Sequence, residues 1–336
     1  MISKPDYTTL ACLERCEQEF VYRHVQHLDA AKPSAPAHFG QIVAKGVQVL
    51  YNERPLEEAQ ATMRAAWGQG WEATLVALGL HQELVQSCVE CGGVGKGGTP
   101  WSGPKPLPTC QCSGPTETVP LLDADKPQFS LARAKAVVRA YETQWRASQW
   151  RTDPRAMFRV AWNEAYAESA TESAIPDRCV RSTTDGLLYA MDLKTTSMYL
   201  SASWMQSFQH SQQAAIQLDV LEHTLEEPIA GFWLDAIGLG RTISGPDFRR
   251  EGPFTYSAAL RAELRKLRAA LWRRAQDLIA YPEAARKNLG ACVRYNALCP
   301  FFAICTKDPL DRADTIAVGL EKGIWREREW NPKRRD

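Results

Sequence analysis

Apolar positions recur along this chain with two periods, and the change from one to the other lays out a string of elements. Spacings of three and four mark helices over residues 8–24, 40–51, 56–78, 131–150 and 206–223, with Thr8 or Thr9 placed to cap the first. Runs rich in β-branched and aromatic residues at 157–166 and 229–238 read as strands. Between them, residues 175–195 (IPDRCVRSTTDGLLYAMDLKT) read as a β-hairpin turning at Asp185-Gly186. Further on, Leu260, Leu264, Leu267 and Leu271 form one helical stripe, with Arg261, Arg265, Lys266 and Arg268 largely off it. The order is helix, three strands, helix, strand: an α/β (α+β) chain with a mixed central sheet flanked by helices.

The hairpin carries the chemistry. A two-residue loop sets Asp177 opposite Lys194 and Asp192 opposite Cys179, and alternation then places Asp177, Asp192 and Lys194 on one face. An odd loop length would turn Asp177 to the other face. Neighbouring carboxylates repel and raise each other's pKa. A hard cation resolves the conflict, since Mg²⁺ takes one or two carboxylates and leaves its other positions to water and phosphate. The plain alternative is a surface hairpin with an ordinary cross-strand Asp–Lys pair.

Cysteines form a second pattern. Cys292, Cys299 and Cys305 stand close together near the C-terminus, and Cys12 and Cys16 lie near the N-terminus. Four thiolates are what an iron–sulfur cluster needs, and three close cysteines plus a remote one would join the chain ends. Taken with the hairpin, these motifs resemble the PD-(D/E)XK nuclease superfamily, in the RecB/AddB-like branch that holds an iron–sulfur cluster and includes the CRISPR adaptation nuclease. Thr8, Leu10, Cys16, Phe20, Tyr22 and Arg23 fill that family's opening helix motif, with Glu17 where proline is usual. Its hairpin is matched by Ile175-Pro176-Asp177 and Asp192-Leu193-Lys194-Thr195, and its closing motif by Cys292, Cys299, Pro300, Phe301 and Cys305.

The resemblance implies a restriction-endonuclease-like core and a nuclease that hydrolyses phosphodiester bonds in DNA, single-stranded or with free ends, as an exonuclease or end-processing enzyme. It implies Mg²⁺ or Mn²⁺ held by Asp177, Asp192 and the Leu193 carbonyl, with Lys194 acting on the attacking water. It gives Gln213 the role of positioning the DNA or the lysine, and makes Cys16, Cys292, Cys299 and Cys305 ligands of a 4Fe-4S cluster. Two places depart from the family. Ala44 stands where a metal-binding histidine is usual, with His38, Gln41 and Lys45 nearby, and Gln217 replaces a tyrosine four residues after Gln213. The first departure keeps open a catalytically weak or inactive DNA-binding or assembly subunit.

A further segment belongs to this chain rather than to the family core. Cys88-x2-Cys91 and Cys110-x-Cys112 bracket a loop dense in Gly and Pro that can bury no apolar core of its own. Such pairs suit a structural Zn²⁺ site, which would supply folding energy and offer a protein partner a docking surface. Disulfides are the alternative; no signal peptide is visible and a reducing cytosol disfavours them. Of ten cysteines, Cys12 and Cys179 are left over. Cys12, one turn before Cys16, could replace it as a ligand, though the resemblance favours Cys16. Cys179 suits the role of a small buried hydrophobe.

At 336 residues and 45% hydrophobic content the chain can bury a full core, read here as one nuclease domain over 1–336. Within it lie a zinc insertion at 86–115 and a clamp of residues 1–25 with 285–310. No apolar run approaches the roughly 18–20 residues that span a bilayer, and a cytoplasmic protein is expected. A net charge of +1 is no advertisement for nucleic acid. The arginines of 261–274 could track phosphates or form the solvated face of a packing helix, and the same holds for 133–151 and Lys333-Arg334-Arg335.

Overall fold

The computed structural model describes residues 4–30, 35–67, 84–88, 116–120, 131–146, 158–163, 166–196, 199–239, 246–294 and 297–327. Five strands form its central sheet: β1 (Phe158–Asn163), β2 (Arg178–Ser182), β3 (Leu188–Thr196), β4 (Ile229–Gly238) and β5 (Asp247–Phe254). Their order is β5-β4-β3-β2-β1, with β3 and β4 parallel and every other neighbour antiparallel. The two central strands are largely buried on both faces and mostly apolar, as strands covered on both sides are, with Asp192, Lys194 and Asp235 as polar exceptions. A parallel pair needs a crossover, which the α-helix between β3 and β4 supplies.

Helices cover both faces. On one side α3 (Ala35–Tyr51), α4 (Leu56–Trp67) and α5 (Leu131–Arg146) pack Phe39, Ile42, Val47 and Val138 onto Tyr189, Met191, Leu193 and Ile237. On the other, α6 (Gln212–Leu225) packs Ala214, Ala215, Leu218 and Leu221 onto Cys179, Ala190, Phe232 and Leu234. The paired alanines let that helix lie close to the sheet. Cys179 is thus a buried apolar residue on the α6 face, as expected from its place in the hairpin.

The opening helix differs from its predicted form. Asp6, not Thr8 or Thr9, caps α1 (Tyr7–Arg15), accepting from the Thr9 amide at 2.7 Å. The helix then breaks at Cys16, whose backbone is extended, and resumes as α2 (Glu17–Phe20) and a π-turn over Val21–Val25. Glu17 occupies the first position of the new helix, the place proline suits best. Cys12 stays behind in an apolar cluster with Leu13, Phe20, Ala275 and Leu278, where burial pushes its thiol up to about 12.

The arginine-rich helix α7 (Ala258–Ala280) packs Leu260, Leu264 and Leu271 of its predicted stripe against the core, and departs from it at two places. Leu267 is exposed and Arg268 is buried. Arg268 lies between Glu172 and Asp219, Arg261 between Asp219 and Glu222, and Arg265 on Asp219. These guanidiniums tie α7 to α6 and so are not laid out to follow phosphates. Arg133 of α5 donates to the Leu239 carbonyl at 2.8 Å; residues 147–151 and 333–335 lie outside the described residues.

Segments from near the two ends of the chain meet. Leu28–Ala30 pairs antiparallel with Trp325–Glu327, and Tyr22, Leu28, Phe301, Ile304 and Trp325 close one apolar cluster between them. The inserted segment leaves and returns at one point, because Leu84–Cys88 pairs with Thr116–Pro120, Cys88 facing Thr116. Cys91, Cys110, Cys112 and the side chain of Cys88 lie outside the described residues. Among those described, no helix is long and apolar enough to cross a membrane.

Candidate active site

The turn of the hairpin spans four residues, 183–186, rather than two, with Gly186 in the left-handed region (φ +73°) and its amide bonded to the Ser182 carbonyl. Arg178 therefore faces Met191 and Cys179 faces Ala190. The pairing is slid by two residues from the predicted one. Because the slip is even, no side chain changes face. Asp177, one step beyond the last ladder pair, comes opposite Asp192 instead of Lys194, and all three still share the α6 face.

Asp177 is buried just ahead of β2, and its Oδ2 accepts from the Leu193 amide at 2.7 Å. The carboxylate thus extends the hairpin's bonding past the end of β2. Leu193 lies between the two acidic positions, and its side chain is turned into the opposite core. Asp192 is wholly buried, with Lys194 Nζ in contact with its Oδ2. Burial, and then the neighbouring Asp177 charge, raise the Asp192 carboxyl above its ordinary range, while Lys194 works in the other direction.

Helix α6 closes the site from above the sheet. Ser211 caps its start, and Gln213 and Gln217, four residues apart on one stripe, each donate from Nε2 to Asp192 Oδ1 at 3.1 Å. Gln213 thus holds the aspartate that Lys194 contacts. Gln217 is the residue that sequence reasoning passed over as a lost tyrosine; its spacing from Gln213 was the available signal. Its Oε1 is buried and accepts from none of the described residues.

The position of the missing histidine offers no ligand. Ala44 packs against the apolar cluster beneath α3. His38 is buried with its ring 6.0 Å from that of Trp67, and burial lowers its pKa, whereas Gln41 and Lys45 face outward. Gly40 lets α3 approach the end of β3, since a Cβ there would lie 2.5 Å from Thr195 Oγ1.

Among the described residues, no three His, Cys, Asp or Glu side chains gather closely enough to hold one metal ion. Two carboxylates remain within what Mg²⁺ requires of a protein, and the buried Asp192 and the open acceptor of Gln217 suit a hard cation and its waters. The thiols form a separate group. Cys16, Cys292, Cys299 and Cys305 line a single cavity of about 90 Å³ together with Leu289, Ala291 and Phe302. All four are free. A four-iron cluster takes one thiolate per iron, so its ligands stand further apart than those of a single ion. This donor set fits such a group, and Cys12 is not part of it.

The five-strand mixed sheet flanked by helices, with Asp177, Asp192 and Lys194 on one face of its hairpin, is consistent with a nuclease core. The chain belongs to the PD-(D/E)XK nuclease superfamily, whose family model matches residues 113–306. No curated protein matches it.

Proposed function

We propose that the protein is a divalent-metal-dependent deoxyribonuclease acting on single-stranded or free-ended DNA, as the RecB/AddB-like branch implies. The observation that carries this reading is the buried Asp192 beside Asp177 and Lys194 on one hairpin face. Asp177, Asp192 and the Leu193 carbonyl would hold Mg²⁺ or Mn²⁺. Lewis-acid chemistry is what that cation supplies when bound, acting on the phosphodiester and its attacking water. Lys194 orients or deprotonates the water and offers positive charge to the pentavalent phosphorus. Gln213 and Gln217 hold Asp192 in place through Oδ1, leaving Oδ2 toward Lys194.

Cys16, Cys292, Cys299 and Cys305 bind a 4Fe-4S cluster that reinforces the junction of the chain ends. Cys88, Cys91, Cys110 and Cys112 bind Zn²⁺ and shape a docking surface for a protein partner. The free thiols suit a reducing, cytoplasmic setting. A second reading rests on Ala44: without a ligand from α3, the protein binds DNA in a nuclease-type assembly and does not cut it.

Labelled single-stranded DNA incubated with Mn²⁺ separates the two. Degradation by the wild type and none by Asp192→Ala supports the nuclease; retention of DNA by both without degradation supports the binding subunit. Iron, sulfide and zinc content of anaerobically purified protein tests both cysteine assignments.

A further inference from the structure

Tyr199 is 75% exposed and stands three residues past the end of β3, the strand that carries Asp192 and Lys194. The residue after it fixes its place. Leu200 is buried in one cluster with Met205 and lies against Gly238, the last residue of β4, where an added Cβ would come 3.0 Å from Leu200 Cγ. Ser201 then caps the short helix Ala202–Gln206, accepting from the Trp204 amide at 3.2 Å. The Arg249 guanidinium lies over the Tyr199 ring, 5.6 Å from its centroid, with Nη2 3.5 Å from the hydroxyl. An exposed tyrosine by itself needs no explanation. This one is paired with an arginine of the central sheet, and that arginine has a defined place relative to the active site. Ala236 of β4 pairs with Lys194 of β3 on one side and with Arg249 of β5 on the other. Paired neighbours point to the same face of a sheet, so Lys194, Ala236 and Arg249 form one row on the α6 face. Two strand spacings make about 10 Å between the ends of that row. Asp247 also reaches Arg249, at 3.3 Å, but both side chains are exposed, and a pair of that kind is weak enough for a phosphate to displace the carboxylate.

We propose that Tyr199 and Arg249 form a binding platform for an unpaired base of the substrate strand, the base stacking on the tyrosine ring and the arginine drawing the adjoining phosphate. The inference rests on the single-stranded DNA reading above and names a part of the site that grips that strand. About 10 Å from Lys194 corresponds to about three nucleotides at the rise of one strand in a duplex, so the stacked base belongs to the same short stretch of strand as the scissile phosphate. Every base has a π-face, and a stack therefore adds affinity without sequence preference. Bases inside a duplex are already stacked on one another, so the platform favours single strands and frayed ends. Arginine beside the ring adds its charge to the grip.

Binding of a labelled single-stranded oligodeoxynucleotide is measured by fluorescence anisotropy with Mn²⁺ present, using full-length protein that carries Asp192→Asn so that the strand stays intact. Adding Tyr199→Ala should weaken binding about tenfold, within what one base on an aromatic ring is worth, while Tyr199→Phe should bind like the parent. The side chain is exposed, so neither change threatens the fold. Replacing each base of the oligonucleotide in turn by an abasic site separates stacking from other contacts. The parent should lose about tenfold at one position, and Tyr199→Ala should lose nothing there. Equal binding by the parent and Tyr199→Ala overturns the inference. So does a loss in Tyr199→Ala that no abasic position reproduces in the parent. A parent that retains no single-stranded DNA overturns the DNA reading itself, a result distinct from firm binding that ignores position 199.

Discussion

Gln217 Nε2 lies 3.1 Å from Asp192 Oδ1, the same carboxylate oxygen that receives Gln213. A residue standing where the family has a tyrosine has thus become one of two amides holding the buried aspartate. Gln217→Leu leaves that oxygen with one donor and places an apolar group beside the proposed cation position. Loss of a group supporting a metal ligand commonly costs about 10–100-fold in metal affinity or activity. A Mn²⁺ titration of nuclease rate measures this; an unchanged curve would remove Gln217 from the site.

Asp192→Asn should abolish cleavage and stabilise the fold. Burial raises the Asp192 carboxyl, so the folded chain holds that proton more tightly than the unfolded one. Its ionised form therefore weakens the fold as pH rises through the raised value. Asparagine keeps the Oδ1 acceptor for both glutamines. The variant should gain about 0.5–2 kcal/mol at neutral pH, and the gain should vanish in acid, below the ordinary carboxylate range. Thermal unfolding of both proteins across pH checks the sign.

Glu17 links the two chain ends and accepts from Arg274 at 2.8 Å and Arg286 at 2.9 Å. The Arg274 contact first, then Arg286, hold its carboxyl at about 2. Its contribution is present above the ordinary glutamate range and fades as pH falls toward that value. Glu17→Gln should cost about 1–2 kcal/mol near neutrality, limited by the exposure of Arg286. The two unfolding curves should converge in acid; a gap independent of pH would show that charge is not the cause.

Arg268→Ala tests the role of α7. Removing a buried guanidinium from between Glu172 and Asp219 should cost about 3–5 kcal/mol. DNA affinity per folded molecule, and its dependence on salt, should not change, since this arginine meets carboxylates and not phosphate. A shallower salt slope in the variant would return the helix to the DNA interface.

Cys299→Ser should lose iron and sulfide yet keep the chain ends together. The pairing of Leu28–Ala30 with Trp325–Glu327 and the bond from Trp325 Nε1 to the Pro300 carbonyl at 3.0 Å are made by backbone and indole groups and use no thiol. Limited proteolysis should open residues 285–310 first and leave the central sheet intact. Simultaneous loss of both would make the cluster the main tie.

The hairpin face was legible in the primary structure because strand alternation is local. Asp177, Asp192 and Lys194 share a side for any even loop, and the four-residue turn changed their partners without changing that side. The cysteines could be grouped from their spacing near each end, and the crossover helix and β4 from their apolar periods. Contacts between elements were set otherwise. Gln217 reaches Asp192 because α6 lies close on its alanines; Arg268 turns inward because Glu172 and Asp219 arrive from two other elements; Tyr22 and Trp325 share one apolar cluster because segments from both ends of the chain pack on Phe301. Each depends on how one finished element is seated against another. That seating is a property of the whole core, and no window of residues along the chain contains it.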